Sequence, residues 1–271
     1  MNQRKSLKEL NLLDKFLFDE AMDDPENVKT MLDIILIQNT NLKHPPQTEK
    51  EQRTSTDNRQ IRLDVYAIDE DDVIYEVEAQ KENTHNLPKR SRLYQGIIDS
   101  KLLPPGVVDF NLLNEVLIVL IMPFDLFGYG LYRYTFQMKC EEVPELKLDD
   151  GATRIFLNTR GKHPELVSPE LIELLKYMEH STDEISEACE SKRIQEMHRR
   201  VCQIKASEKT EVKYMQTWEE KILIKQEGER IGLERINRLN QKLIEQGRFD
   251  DLTKATSDSS YQEKLLKEFK I

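Results

Sequence analysis

Apolar residues recur at three- and four-residue steps through Leu13, Phe16 and Leu17, and again through Met31, Ile34 and Ile35. That is the period of an amphipathic helix, so residues 7–39 are expected to be helical. Pro25 directly follows Asp24. A capping acid before a first-turn proline starts a new helix, and two consecutive helices are predicted. The stretch LKHPPQTEKEQRTSTDN at 42–58 is polar and breaks regular structure, with room for a short edge strand. In QIRLDVYAIDEDDVIYEVEAQK the period changes to two. Runs 60–68 and 73–80 flank the acidic turn 69–72 and predict a β-hairpin.

Pro88 then opens a helical pattern through Leu93, Ile97, Ile98 and Leu102, which PPG at 104–106 stops. The short Val/Ile-rich run EVLIVLIMP suits a central strand buried on both faces. GLYRYTFQMK and ATRIFLN predict further strands. From about residue 168 the pattern is helical, with Pro169 at a first turn. Residues 184–245 are charged and free of proline, with apolar positions such as Ile236, Leu239 and Leu243. They predict one extended helix or a coiled-coil arm, weakened locally by Gly228 and Gly232. DLTKATSDSSYQEKLLKEF forms a last helical unit. The order implies an α/β fold, with a core over 1–160 and a helical C-terminal extension over 161–271.

Alternation places Glu76, Glu78 and Gln80 on one side of the second hairpin strand, with Val77 and Ala79 on the other. Asp64 lies in the preceding strand. Paired strands run roughly 5 Å apart, which brings Asp64 near Glu76 or Glu78. Carboxylates at that range raise one another's pKa unless a cation neutralises them. Mg²⁺ suits such a pair, because it takes one or two carboxylates and keeps water and phosphate in its remaining positions. Spacing alone also admits a plain solvated acidic face. The helix that follows tips the balance. Residues 81–101 carry Lys81, Lys89, Arg90, Arg92 and Lys101 against Glu82 and Asp99. A basic flank beside an acidic strand is suited to phosphate.

The composition narrows the setting. The 271 residues are 33% charged, with a net charge of −10. That charge argues against a uniformly basic nucleic-acid coat, though not against a local basic face. Cys140, Cys189 and Cys202 are odd in number and widely spaced, so no disulfide framework follows, and a reduced, cytoplasmic setting is expected. The N-terminal stretch has no apolar signal core, and Val116–Met122, the longest apolar run, is far too short to span a bilayer.

An acid in one strand, a hairpin, Glu-x-Gln in the next strand and a basic helix resemble the layout of the PD-(D/E)XK nucleases. More narrowly, the chain resembles their recombination-promoting nuclease and transposase branch. LLDKFLF is similar to that branch's first helix in permuted form, and RLDVYAIDEDDVIYEVEAQK to its Asp-Val…Glu-x-Gln core. LPKRSRLYQGIIDSKLL is similar to its Arg-x-x-x-Tyr helix, and LIEQGRFDDLTKATSDSSYQEKLLKEF to its tail. The likeness covers most of the chain and is strongest over 60–125.

The resemblance implies a restriction-endonuclease-like core and a Mg²⁺- or Mn²⁺-dependent endonuclease acting on DNA, in recombination or transposition. Asp64 and Glu78 would be the metal ligands, with Asp14 as a further acid from the first helix. Gln80 would occupy the position usually held by lysine. Lys89, Arg90 and Tyr94 would contact DNA. Arg90 and Tyr94, one helical turn apart, are equally suited to bracing the acidic site. Glu76 falls outside the motif. Leu63 stands where the superfamily name places proline, and Gln80 is neutral and supplies no positive charge. Charge must then come from the metal, Arg90 or Lys89.

Two rival readings remain: a non-catalytic DNA-binding or assembly module on the same fold, and a helical adaptor acting through 168–271. A homodimer through the C-terminal helices fits the first of these and the nuclease alike. His198 and Cys202 have metal-compatible i, i+4 spacing, but no further ligand lies nearby in sequence, and a solvated helix face is expected. GYGLYRYTF has no following helix to make a phosphate loop.

Overall fold

The computed structural model describes residues 4–52 and 61–271. Residues 53–58 of the polar stretch, and Gln60 at the start of the expected strand, lie outside them. The chain divides into two compact units, Met1–Thr210 and Glu211–Ile271.

The first unit begins with the two expected helices, α1 (Lys15–Met22) and α2 (Pro25–Leu36). The Asp24 carboxylate accepts the Glu26 amide at 2.9 Å, a cap that contributes about 1 kcal/mol. An edge strand, β1 (Gln47–Gln52), precedes the hairpin β2 (Ile61–Ile68) and β3 (Ile74–Ala79). The Asp69 carboxylate closes the hairpin turn. It accepts the amides of Asp71 and Val73 at 3.0 and 2.9 Å and the Tyr75 hydroxyl at 2.6 Å. Next come α3 (Leu87–Asp99), β4 (Val116–Met122), β5 (Arg133–Phe136) and β6 (Ala152–Asn158).

These strands form one mixed six-stranded sheet in the order β1-β2-β3-β4-β6-β5. The β1–β2–β3 ladder is antiparallel, β3–β4–β6 is parallel, and β5 returns antiparallel to β6. The continuous apolar run of β4 follows from its place between two parallel neighbours, where both faces are buried. Leu87, Tyr94, Ile97 and Ile98 of α3 pack in one cluster with Tyr66, Ile74, Ile118, Leu120 and Phe156 of the sheet. Helix α1 meets β1 and β2, and Arg133 of β5 donates to the Ile35 carbonyl at the end of α2.

The sheet-bearing unit runs past residue 160. Helices α4 (Pro169–Glu179) and α6 (Lys192–Ala206) pack against α2, and α5 (Asp183–Ala188) packs between them in sequence against both. The Leu13 amide donates to the Met178 carbonyl, and the Leu12 amide to the Ser181 hydroxyl. The division between units therefore falls after Thr210, not at 160/161.

The single arm expected over 184–245 is three helices: α5, α6 and α7 (Glu208–Glu245). Serines make the breaks. The Ser191 hydroxyl accepts the Ile194 amide and the Ser207 hydroxyl accepts the Thr210 amide, and serine favours caps over helix interiors.

The second unit holds most of α7 together with α8 (Phe249–Ser257) and α9 (Ser259–Glu268). Gly247 at φ 69° ends α7, and Leu239, Leu243, Ala255, Leu265 and Leu266 make a small core. Among the described residues, no helix is long and apolar enough to cross a membrane.

Candidate functional site

The hairpin brings the two motif acids together. Paired residues run from Ile68↔Ile74 to Val65↔Val77. Just beyond that ladder the Ala79 amide donates to the Asp64 carboxylate, and the Asp64 charge acts on Glu78. Both acids are buried, 5% and 7% exposed, and Glu76 is 0% exposed. A buried carboxylate needs partners, because each uncompensated charge in a poorly solvated place is costly.

The partners are cations from two helices. Arg90 of α3 donates to a Glu78 oxygen at 2.7 Å and also to the Gln80 side-chain oxygen. Lys15 of α1 pairs with Asp64 and with Asp19, 3.2 Å away, and stands 3.9 Å from Glu49. The Lys15 ammonium is therefore held among three carboxylates. Burial alone would lower it, but Asp64 and Asp19 hold it above its ordinary value.

The carboxyls move the other way. Burial pushes Glu78 up to about 7; Arg90 opposes the rise and the Asp64 charge adds to it. Burial raises Asp64 as well, against the pull of Lys15 and Arg90. Asp19 is pushed up to about 7 by burial, with Lys15 opposing and Asp64 contributing. Glu76 is raised well above the usual range by burial and by its neighbours Glu78 and Asp64. Among the described residues, both Glu76 oxygens and Glu78 Oε2 are buried with no hydrogen-bond partner.

The other expected site residues divide. Gln80 sits beside Glu78, its amide fixed by Arg90 and by its own donation to the Glu82 carbonyl. Asp14 has partners of its own. As N-cap of α1 it accepts the Asn11 amide at 2.9 Å and pairs with Lys81. The acid that α1 turns toward Asp64 is Asp19, and with Lys15 it forms an i, i+4 pair that the strand motif gave no reason to single out. Arg90 and Tyr94 face inward. Tyr94 is 9% exposed in the sheet–α3 cluster, with the Arg90 guanidinium 5.9 Å from its ring centre. Of the three residues expected at DNA, Lys89 alone is exposed.

Among the described residues, no three acids of this cluster bring ligand atoms within 4.8 Å of one another; the set that does is Asp183, His198 and Cys202. His198 is 9% exposed, so it is not on the solvated helix face expected for it. The missing ligand, Asp183, comes from α5 and lies 15 residues away in sequence.

Comparison with known proteins adds no relative: no family model, no curated protein and no solved structure matches the chain.

Proposed function

We propose that the chain is a Mg²⁺- or Mn²⁺-dependent DNA endonuclease whose metal ligands are Asp64 and Glu78. The observation that supports this most directly is the pairing of those two acids. They lie on adjacent strands, buried, electrostatically coupled, and served by the same two cations. The donor set suits a hard cation. Glu78 Oε2 is buried without a partner, and Mg²⁺ requires only one or two carboxylates when water and phosphate complete its shell. When bound, such an ion activates water and stabilises charge on a phosphodiester.

The chain's own residues do the rest. Arg90 orients Glu78 and Gln80 together, so the Gln80 amide is held where it can direct a water or a phosphate oxygen. The positive charge that Gln80 lacks is available from Lys15 and Arg90. Lys89 is exposed on the first turn of α3, which supports a role at the DNA backbone. The likeness to the recombination-promoting branch supports a role in DNA recombination or transposition, in a cytoplasmic setting that keeps Cys140, Cys189 and Cys202 reduced.

A supercoiled-plasmid assay on the full chain tests the reading. Nicking or cutting is expected with Mg²⁺ or Mn²⁺, none with chelator, and none from Glu78→Gln. Cutting that persists undiminished in Glu78→Gln would overturn it.

One observation favours the rival, a non-catalytic DNA-binding module. Asp64 pairs with Lys15 and Glu78 with Arg90, as in a structural ion-pair network. That reading expects retained DNA binding with no saturable Mn²⁺ binding sensitive to Glu78→Gln.

Pairing of two copies through the C-terminal helices belongs to the same proposal. Leu223, Ile224, Ile231 and Leu233 of α7 are exposed apolar residues on the second unit. Sedimentation equilibrium of the full chain should give twice the 32.0 kDa monomer mass. A monomer at micromolar concentration would remove the dimer from the reading.

A further inference from the structure

We propose that Asp183, His198 and Cys202 form a separate metal site, selective for Zn²⁺, with three protein ligands and a fourth position open to solvent. The inference is independent of the nuclease reading.

The three donors differ in chemistry and converge on one point. His198 Nε2 lies 2.8 Å from Asp183 Oδ1 and 3.3 Å from Cys202 Sγ, and Sγ lies 3.9 Å from that same Oδ1. Around a tetrahedral Zn²⁺ with bonds of about 2.0–2.3 Å, ligand atoms stand roughly 3.3–3.8 Å apart. The triangle is therefore already near the size that a zinc ion requires, and small side-chain rotations complete it. Mixed thiolate, imidazole and carboxylate donors suit Zn²⁺ rather than the hard cations Mg²⁺ and Ca²⁺.

The same geometry counts against a nucleophilic Cys–His–Asp relay. A relay places the nucleophile on one ring nitrogen and the acid on the other. Here the carboxylate oxygen is on Nε2, and Sγ stands beside the ring, 3.3 Å from Nε2 and 3.9 Å from Nδ1, so thiol and acid do not occupy opposite ring nitrogens. Nδ1 is occupied separately, 3.0 Å from the Tyr177 hydroxyl. A ligand histidine has one nitrogen on the metal and the other hydrogen-bonded to a supporting group; here a metal ion would take the place of the proton between Nε2 and Asp183 Oδ1. Tyr177 is fully buried and its ring stands edge-on to the imidazole, which fixes the His198 ring plane.

The surroundings leave room for a fourth ligand. The cluster opens onto a cleft of about 360 Å³ whose walls include Lys8, Ser181 and Lys205. Zn²⁺ with one carboxylate and one thiolate is neutral as a unit, and two lysines on the cleft wall favour a hydroxide or a small anion at the open position. Asp183 is mostly exposed, which gives an ion a path in. The site joins α5 to α6, so occupancy should also raise stability.

The test uses the full chain, stripped with chelator and titrated with Zn²⁺ against a chromophoric chelator, then with Co²⁺ as a spectroscopic probe. One equivalent of metal that depends on Cys202 is expected. The Co²⁺ form should show a thiolate-to-cobalt charge-transfer band and intense visible bands of tetrahedral coordination. Cys202→Ser should lose the charge-transfer band, whereas Cys140→Ser and Cys189→Ser keep it. Tyr177→Phe should weaken Zn²⁺ binding by about 10–100-fold. X-ray absorption on the loaded wild-type protein, which needs no variant to fold, should show one sulfur among nitrogen and oxygen neighbours. A charge-transfer band that survives Cys202→Ser, a zinc shell without sulfur, or no uptake at all would each overturn the proposal. The Asp64–Glu78 cluster contains no thiol, so its metal chemistry cannot mimic the sulfur signature.

Discussion

Asp64→Asn is expected to remove metal-dependent DNA cleavage while leaving the protein folded and no less stable. The two effects separate because the Asp64 charge is costly to the fold and useful to the site. Burial raises its pKa despite Lys15 and Arg90, so the folded protein disfavours the ionised form. Asparagine keeps the shape and an oxygen for Lys15 but carries no charge to bury. Lys15 retains Asp19, so no cation is stranded. A neutral amide, however, is a poor ligand for a hard divalent ion. Loss of one such electrostatic contribution to a phosphoryl transition state costs at least about a hundredfold in rate. Plasmid cleavage and thermal unfolding, measured on the same preparation, check both halves. Cleavage that survives would remove Asp64 from the site. A loss of stability comparable to a core truncation would mean that Asp64 is a structural ion-pair residue instead.

The stability of the metal-free protein should fall as the pH rises from about 4.5 towards and past 7. Glu78 and Asp19 are pushed up to about 7, and Asp64 and Glu76 are also raised. Between the unfolded and folded pKa values the folded state holds more protons than the unfolded one, so stability declines with pH. The contribution is complete below the unfolded pKa and is lost as pH passes through the folded one. For Glu78 alone, moving from 4.5 to about 7 corresponds to about 3 kcal/mol. Carboxyls held low act at the acid end. Glu170 and Glu179, where ion pairs with Arg193 and Arg160 outweigh burial, lose their contribution only as pH falls below the usual carboxylate range.

The stability maximum should therefore sit near pH 5, and the melting temperature should drop by several degrees between pH 5 and pH 8. Saturating Mg²⁺ should recover much of that loss at pH 8, because it binds the ionised pair; at a hundred times Kd the gain is about 2.7 kcal/mol. Glu76→Gln, which removes a buried acid without hydrogen-bond partners, should flatten the profile. A melting temperature that is flat or rising over this range, in wild type and Glu76→Gln alike, would show that these carboxyls ionise freely.

The two metal proposals rest on different kinds of assembly. The Asp64–Glu78 pair is built from neighbouring strands joined by a short turn, so the hairpin pattern already made the two acids near neighbours. The Asp183–His198–Cys202 set needs α5 and α6 to cross at one place, and only half of it, the i, i+4 pair, was legible along the chain.

The sequence by itself determined the elements and which side chains share a face. The two N-terminal helices, the hairpin, the central strand between parallel neighbours and the start of α3 all follow from periodicity, caps and prolines, which are local properties of the chain. The tertiary structure decided what those faces meet. It placed Asp19 near Asp64, turned Arg90 and Tyr94 inward, and set Lys15 among three acids. It also supplied Asp183 to His198. Each of these depends on how helices distant in sequence dock on one another and on the sheet. Docking is settled by the summed fit of many side chains, and no local period encodes it.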